Sequence, residues 1–288
     1  MGNGPAVRRR KLGEELRNLR LRAGFTSSQA AQLVGWHQSK ISRIETGSSG
    51  VKSADVALLL DAYGVHDPGQ RALFTALSGA GGSEGPHWWH AYRGLLPPQY
   101  RDFISLESQA HTARTLETVA VPGLLQTPEY ARAVTRASLQ QLPELPKDTV
   151  DSLVDVRVAR QEVLRTECPL DLSAVIDEAV LRRPVGGRGV MAEQLRHLTE
   201  TAQLPHVRLQ VLPFAIGGYV GMTGPFIIFS FPNIADLDVV VLDHLTSSLY
   251  LERKEDLEAY SAAFRTIQAL ALPPQHSLEL IAGIGDGV

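Results

Sequence analysis

The stretch VGWHQSKISRIETG, residues 34–47, decides how the first quarter of the chain is read. Gly35 stands between two short helical patterns, at a turn where a β-carbon would be in the way. Val34, Ile41 and Ile44 recur at helical spacing and point to a shared core. That leaves Gln38, Ser39, Lys40, Ser42 and Arg43 on the opposite face. Those residue types suit a DNA groove: glutamine pairs with adenine, arginine with guanine, and serine with a base edge or a phosphate.

Working outward, residues 10–23 form a helix with Leu12, Leu16 and Leu19 on one face, ended by Gly24. Thr26 is placed to cap a second helix, Ser27 to Val34, in which Ala31 is small enough for a close helix crossing. A third helix runs from about Gln38 to Glu45 and stops at Gly47. Ser53 is placed to cap a fourth, with Val56, Leu59, Leu60 and Tyr63 as its core face. Asp67-Pro68 reads as a cap followed by proline at the first helical position, opening a fifth helix to about Ser78. A helix–turn–helix inside such a set enters the major groove by the N-terminal end of its second helix. Arg8, Arg9, Arg10 and Lys11, just before it, are placed to reach flanking phosphates or a minor groove, which makes binding salt-dependent.

Charge supports this division. Of 288 residues, 28 are Lys or Arg and 31 are Asp or Glu. Residues 1–77 hold 11 of the basic and 6 of the acidic ones, while the remainder holds 17 basic and 25 acidic. The basic end suits nucleic acid and the acidic end suits solvent or a partner. The single cysteine, Cys168, excludes an internal disulfide and a cysteine zinc cluster, and a reducing cytoplasmic setting is expected. No apolar run reaches the ~18 residues of a membrane span, and MGNGPAVRRRKLG lacks the apolar segment of a secretory signal.

GAGGSEGP, residues 79–86, reads as a flexible linker. The expected organisation is an all-α domain of five helices over 1–78, that linker, and a larger α+β domain over 87–288. In the second domain, residues 87–117 read as irregular and helical pieces. Thr127 caps a helix with Pro128 at its first position, and 148–166 is a helix with Val154, Val158 and Leu164 inward. Residues 189–203 are helical. LDLSAVID, VRLQVLPF, PFIIFSF and LDVVVLDHL are strands, with SLYLER as a further one. EDLEAYSAAFRTIQALAL and HSLELIAGI are helices. Helices and strands mix without βαβ alternation, so α+β fits.

LGEELRNLRLRAGFTSSQAAQLVGWHQSKISRIETG resembles the XRE, lambda-repressor-like, helix-turn-helix domain. Beyond the linker, HWWHAYRGLLPPQYRDFISLESQA, VAVPGLLQTPEYARAV, DSLVDVRVARQEVL, AVIDEAVLRRPVGG, EQLRHLTETAQLPHVRLQVLPF, GMTGPFIIFSFP and SSLYLE resemble the C-terminal domain of the WhiJ-like, antitoxin-like transcriptional regulators of high-GC Gram-positive bacteria. The resemblance implies a DNA-binding regulator and a small acidic partner protein. It places recognition positions on Gln38, Ser39, Lys40 and Arg43. It also implies that Glu45 orients an arginine. Ser27 stands where the family has a phosphate-contacting glutamine, and His37 where it has a serine N-cap. Histidine is a poor cap by residue preference, so a weakened cap or a phosphate contact is expected there. The DNA-binding set is then Arg8, Arg9, Arg10, Ser27, Gln29, His37, Gln38, Ser39, Lys40, Ser42 and Arg43. The partners expected are double-stranded DNA and a second copy of the chain, since a two-fold dimer presents two recognition helices to successive major grooves.

Other signals read as structural. His87-Trp88-Trp89-His90 lacks a carboxylate for a metal site, and its tryptophans read as an anchor in the second domain's core. Gly186-Gly187-Arg188-Gly189 lacks a P-loop's lysine and reads as a turn. Asp177 and Glu178 read as a cap or as a partner of Arg182 or Arg183. Cys168 reads as a small buried residue. Neither an enzyme nor a cofactor is expected. Glycines 217, 218, 221 and 224 around GGYVGMTGPF mark a loop needing positive φ, or a lid or edge for a partner. Whether the second domain takes a small molecule or a protein is left open.

Overall fold

Five helices open the chain: α1 (Ala6–Arg22), α2 (Ser27–Leu33), α3 (Gln38–Glu45), α4 (Ser53–Ala62) and α5 (Pro68–Leu77). They are seen in a computed structural model that describes residues 6–78, 88–92, 94–139, 148–231, 238–244 and 247–287. The glycine-rich segment 79–86, His87 and the side chains of Arg8 and His90 lie outside the described residues. Two compact units divide the chain. The first gathers the residues up to 90 together with 98–109, and the second holds 91–97, 110–232 and 238–288.

The apolar faces expected for the first unit are its core, except that Val34 is only half-buried. Leu12 and Leu16 of α1, Ala31 of α2, Ile41 and Ile44 of α3 and Val56, Leu59 and Leu60 of α4 are each at most 2% exposed. Gly35 makes the expected turn with φ +68. Gly13 on α1 serves a close approach: a β-carbon there would collide with the Ile44 carbonyl and stand 2.6 Å from that of Glu45. Thr26 caps α2 in a capping box, accepting from Gln29 N at 3.2 Å while Gln29 Oε1 accepts from Thr26 N at 2.9 Å. Asp67 caps α5 by accepting from Gln70 N at 2.7 Å. Ser53 does not cap α4. Lys52 is the N-cap residue without a side-chain bond, and Ser53 Oγ instead meets Ser78 Oγ at 2.8 Å.

The first unit also holds α6 (Pro98–Glu107) and the start of a 3-10 turn, Trp88–Tyr92. Trp88 and Trp89 stand edge to face at 5.5 Å, Trp89 buried and Trp88 38% exposed.

The second unit is built on a six-stranded mixed sheet in the order β3-β2-β1-β4-β5-β6: β1 (Thr112–Glu117), β2 (Asp171–Asp177), β3 (Val207–Leu212), β4 (Phe226–Ser230), β5 (Val239–Asp243) and β6 (Ser248–Leu251). β1, β2 and β3 are parallel, and β4, β5 and β6 continue antiparallel. β1 is central and lies where irregular or helical structure was expected. α11 (Lys254–Leu270) lays Phe264 and Ile267 on one sheet face against Leu116, Val175, Phe226, Ile228 and Val240. α12 (Pro274–Asp286) packs on β3 and on α10 (Arg188–Thr201). Ser277 Oγ accepts from Val211 N at 2.9 Å, and Leu272 N donates to Val211 O at 2.9 Å, so the outer edge of β3 is occupied.

α7 (Pro128–Leu139) begins as expected, with Tyr130 N donating to Thr127 Oγ1 at 3.3 Å. α8 (Thr149–Arg160) tightens into a 3-10 turn, Gln161–Leu164. Val154, Val156 and Leu164 are inside, while Val158 is 36% exposed rather than inward.

Candidate DNA-binding surface

α3 presents two ridges to solvent. Gln38 and Ser42 are one turn apart, as are Ser39 and Arg43, while Ile41 and Ile44 bury the other side. Gln38, Ser42 and Arg43 are exposed, and Arg43 has neither a hydrogen bond nor an ion pair from its side chain among the described residues. No acidic residue lies in the first turn of α3.

A buried ion pair holds the helix in place. Arg20 of α1 donates to both oxygens of Glu45, at 2.6 and 2.8 Å, with both side chains only 8% exposed. Its remaining arm donates to Phe25 O at 2.7 Å. One guanidinium thus ties together α1, the turn before α2 and the end of α3. The bond to Glu45 raises the Arg20 pKa above its ordinary value despite burial. Tyr63, buried beside this pair, is pushed up to about 12, first by burial and then by the Glu45 charge. Glu45 therefore orients an arginine, as the resemblance implied, and the arginine is Arg20.

His37 caps α3. It has extended backbone, φ −84 and ψ 141, and its Nδ1 accepts from Ser39 N at 3.3 Å, with Ser39 Oγ at 2.8 Å. This corrects the expectation of a poor cap: a ring nitrogen supplies the lone pair that a serine oxygen would. An accepting Nδ1 requires the neutral ring with its proton on Nε2. The cap thereby leaves Nε2–H as the donor of an exposed ring.

The remaining expected residues divide. Gln38 Nε2 donates to Ser27 Oγ at 3.2 Å, so these two side chains of α2 and α3 are coupled. Gln29 is engaged in the α2 capping box through its carbonyl. Lys40 is not on the outer ridges. Its Nζ stands 3.4 Å over the Trp36 ring and 3.1 Å from Asp55 Oδ2 of α4. Arg9 and Arg10 lie within α1 rather than on an arm before it, and Arg9 Nε donates to Gly47 O at 3.4 Å. Arg20, Trp36 and Asp55 were not singled out in the sequence, though the glutamate at the end of α3 already asked for an arginine.

Two family models match the chain. A helix-turn-helix domain matches residues 11–74, and a domain of unknown function, DUF5753, matches residues 100–283. The second covers more than half of the chain. The chain belongs to the DUF5753 family. No curated protein and no solved structure matches it. The helix-turn-helix match supports a DNA-binding regulator, and its 64-residue range holds α2, α3 and every residue of the buried clamp.

Within the DUF5753 region, the acidic pair is structural. Asp177 Oδ1 accepts from Ala179 N at 2.9 Å, capping the short helix α9 (Glu178–Arg182), and Asp177 Oδ2 accepts from Tyr219 Oη at 2.8 Å. Glu178 accepts from Arg182 Nε at 2.7 Å and from Phe214 N at 2.8 Å. Gly186 and Gly187 form a positive-φ turn leading into α10. Cys168 is exposed, which corrects its expected burial: it lies in a surface turn where Thr166 Oγ1 donates to Cys168 O at 3.0 Å. Gly217 and Gly224 have positive φ, and Gly221 lies flat on Leu116. No helix among the described residues is long and apolar enough to cross a membrane.

Proposed function

We propose that the chain is a sequence-specific transcription regulator of the WhiJ-like, antitoxin-like kind, which lays α3 in a DNA major groove and binds as a homodimer. The observation that carries the reading is the outer face of α3: exposed Gln38, Ser42 and Arg43 on a helix locked from behind by Arg20 and Glu45. A rigid helix with an amide and a free guanidinium outward has the groups that read adenine and guanine edges. Ser39 and the His37 Nε2–H serve phosphates at the entry of the helix. The dimer follows from geometry, because one eight-residue helix reads only a half-site. The resemblance names a small acidic protein as one alternative occupant of the second domain, a small molecule being the other.

The test is selection of duplexes from a random pool by the full chain. An enriched inverted repeat with half-sites about one helical turn, ~34 Å, apart is expected. Enrichment of a single unrepeated half-site would overturn the dimer, and no enrichment would overturn the sequence-reading role.

A further inference from the structure

The sheet face that receives α11 changes character along its length. Over β4 and β5, Ile228 and Val240 pair in register and are buried beneath α11. The same row continues through Arg114 on β1, Ser173 on β2 and Arg208 on β3. Register partners leave a sheet on one face, so two arginines flank a serine there. Strand spacing of about 4.8 Å sets the two arginine backbones about 10 Å apart.

Among the described residues, no arginine of this row forms an ion pair. Arg114 is half-buried, and among the described residues its one side-chain bond is to Ser230 Oγ, a neutral group 3.4 Å away. Asp238, the nearest acid, already accepts from Ser230 Oγ at 2.7 Å and from Phe231 N at 3.2 Å. Arg265, exposed on α11, adds a second positive charge. Burial lowers the Arg114 pKa most; Asp238 raises it, and Arg265 lowers it further. Arg208 is exposed and, among the described residues, bonds only to Gln210 Oε1, at 3.2 Å. The Ser173 hydroxyl has no partner among the described residues. Asp171, exposed on the same face two residues before Ser173, makes no ion pair with any of the three arginines among the described residues. Arg265 repels Arg114, and a half-buried guanidinium with vacant donors is costly. An anion relieves both, because guanidinium forks match carboxylate and phosphate oxygens.

We propose that the Arg114–Ser173–Arg208 row, with Arg265 of α11 beside it, is a binding site for a small molecule bearing a phosphate or carboxylate group. Arg114 is its principal ligand. The Ser173 hydroxyl donates to the same group, and Arg208 and Arg265 close it from either side. A short, half-buried serine favours a compact anion over a duplex backbone, which long exposed side chains reach. The site does not depend on the DNA-reading role, and a chain that never bound DNA would still hold the anion.

The full chain is titrated with inorganic phosphate, and separately with citrate, at constant ionic strength, following the melting temperature and the heat of binding. Saturable binding of at least one probe is expected. Arg114→Met and Arg265→Met should each weaken it about tenfold or more, the loss of one charge-assisted bond. Arg265 is exposed on a helix, so its variant folds whatever becomes of Arg114. Arg196→Met, at an exposed pair on α10, should bind as the parent does. Failure of both probes to saturate at millimolar concentrations would overturn the site, as would binding by Arg114→Met and Arg265→Met that equals the parent's. If Arg114→Met instead lowers the salt dependence of DNA binding and leaves phosphate binding alone, the row is a DNA contact and the proposal fails.

Discussion

Lys40 is held between Trp36 and Asp55, with its ammonium 3.4 Å over the indole and 3.1 Å from the Asp55 carboxylate. A cation on α3 is thereby held by an acid on α4. Asp55→Asn removes that acid and keeps the shape. Each added phosphate contact steepens the salt dependence by about 0.9 on a logarithmic scale. The variant should bind duplex DNA more tightly at low salt, with a slope steeper by about that amount. Affinities measured across a salt series check this, and an unchanged slope would leave Lys40 with a structural role alone.

The Arg20–Glu45 clamp predicts a large asymmetry between breaking and replacing the pair. Glu45→Ala leaves a buried, unpaired guanidinium and should cost about 3–5 kcal/mol. Arg20→Met combined with Glu45→Met should cost far less, since no uncompensated charge remains. Denaturant midpoints of the single and double variants decide between these outcomes.

His37 predicts a cap effect of ordinary size. His37→Ala should lose about 0.5–2 kcal/mol and His37→Asn should keep most of the stability, because an asparagine oxygen takes over from Nδ1. Thermal unfolding of the pair is the check. Equal melting of the Ala variant and the parent would show that the 3.3 Å bond does not stabilise α3.

Glu117, at the end of β1, is pushed up to about 8 by burial, against the lowering effect of the Thr115 hydroxyl and with a further push from Asp243. The folded chain therefore holds this proton more tightly than the unfolded chain, whose carboxyl titrates near 4.5. The linked stability is fully present below about 4.5 and is lost as pH rises to about 8. Glu117→Gln should remove this part of the slope and stabilise the chain most at the alkaline end. Unfolding free energies at pH 5 to 8, read for both proteins, test the assignment.

Helical phase carried most of the first unit. Leu12, Leu16, Ile41 and Ile44 are core because apolar residues three and four apart share a face, and the same phase set Gln38, Ser42 and Arg43 outward. What phase leaves open is lateral. Lys40 sits between the inner and outer faces, and only the fold brings Asp55 of α4 to it. His37 was read by residue preference, whereas the cap depends on where one ring nitrogen lies. In the second unit the strands rich in Val, Ile and Phe were legible. TARTLE was not, because half its residues are polar and its place is set by pairing with β2 and β4, both far along the chain. The arginine row was invisible for the same reason: Arg114, Ser173 and Arg208 become neighbours only through strand register.

The most direct test of the central claim is the effect of Arg43→Ala on binding to the duplex enriched by the full chain. If Arg43 reads a base, affinity for that duplex should fall by about 1–3 kcal/mol, discrimination should relax at one base pair, and the salt slope should stay nearly the same. Unchanged affinity and unchanged discrimination, in a variant that melts like the parent, would contradict the placing of α3 in the groove.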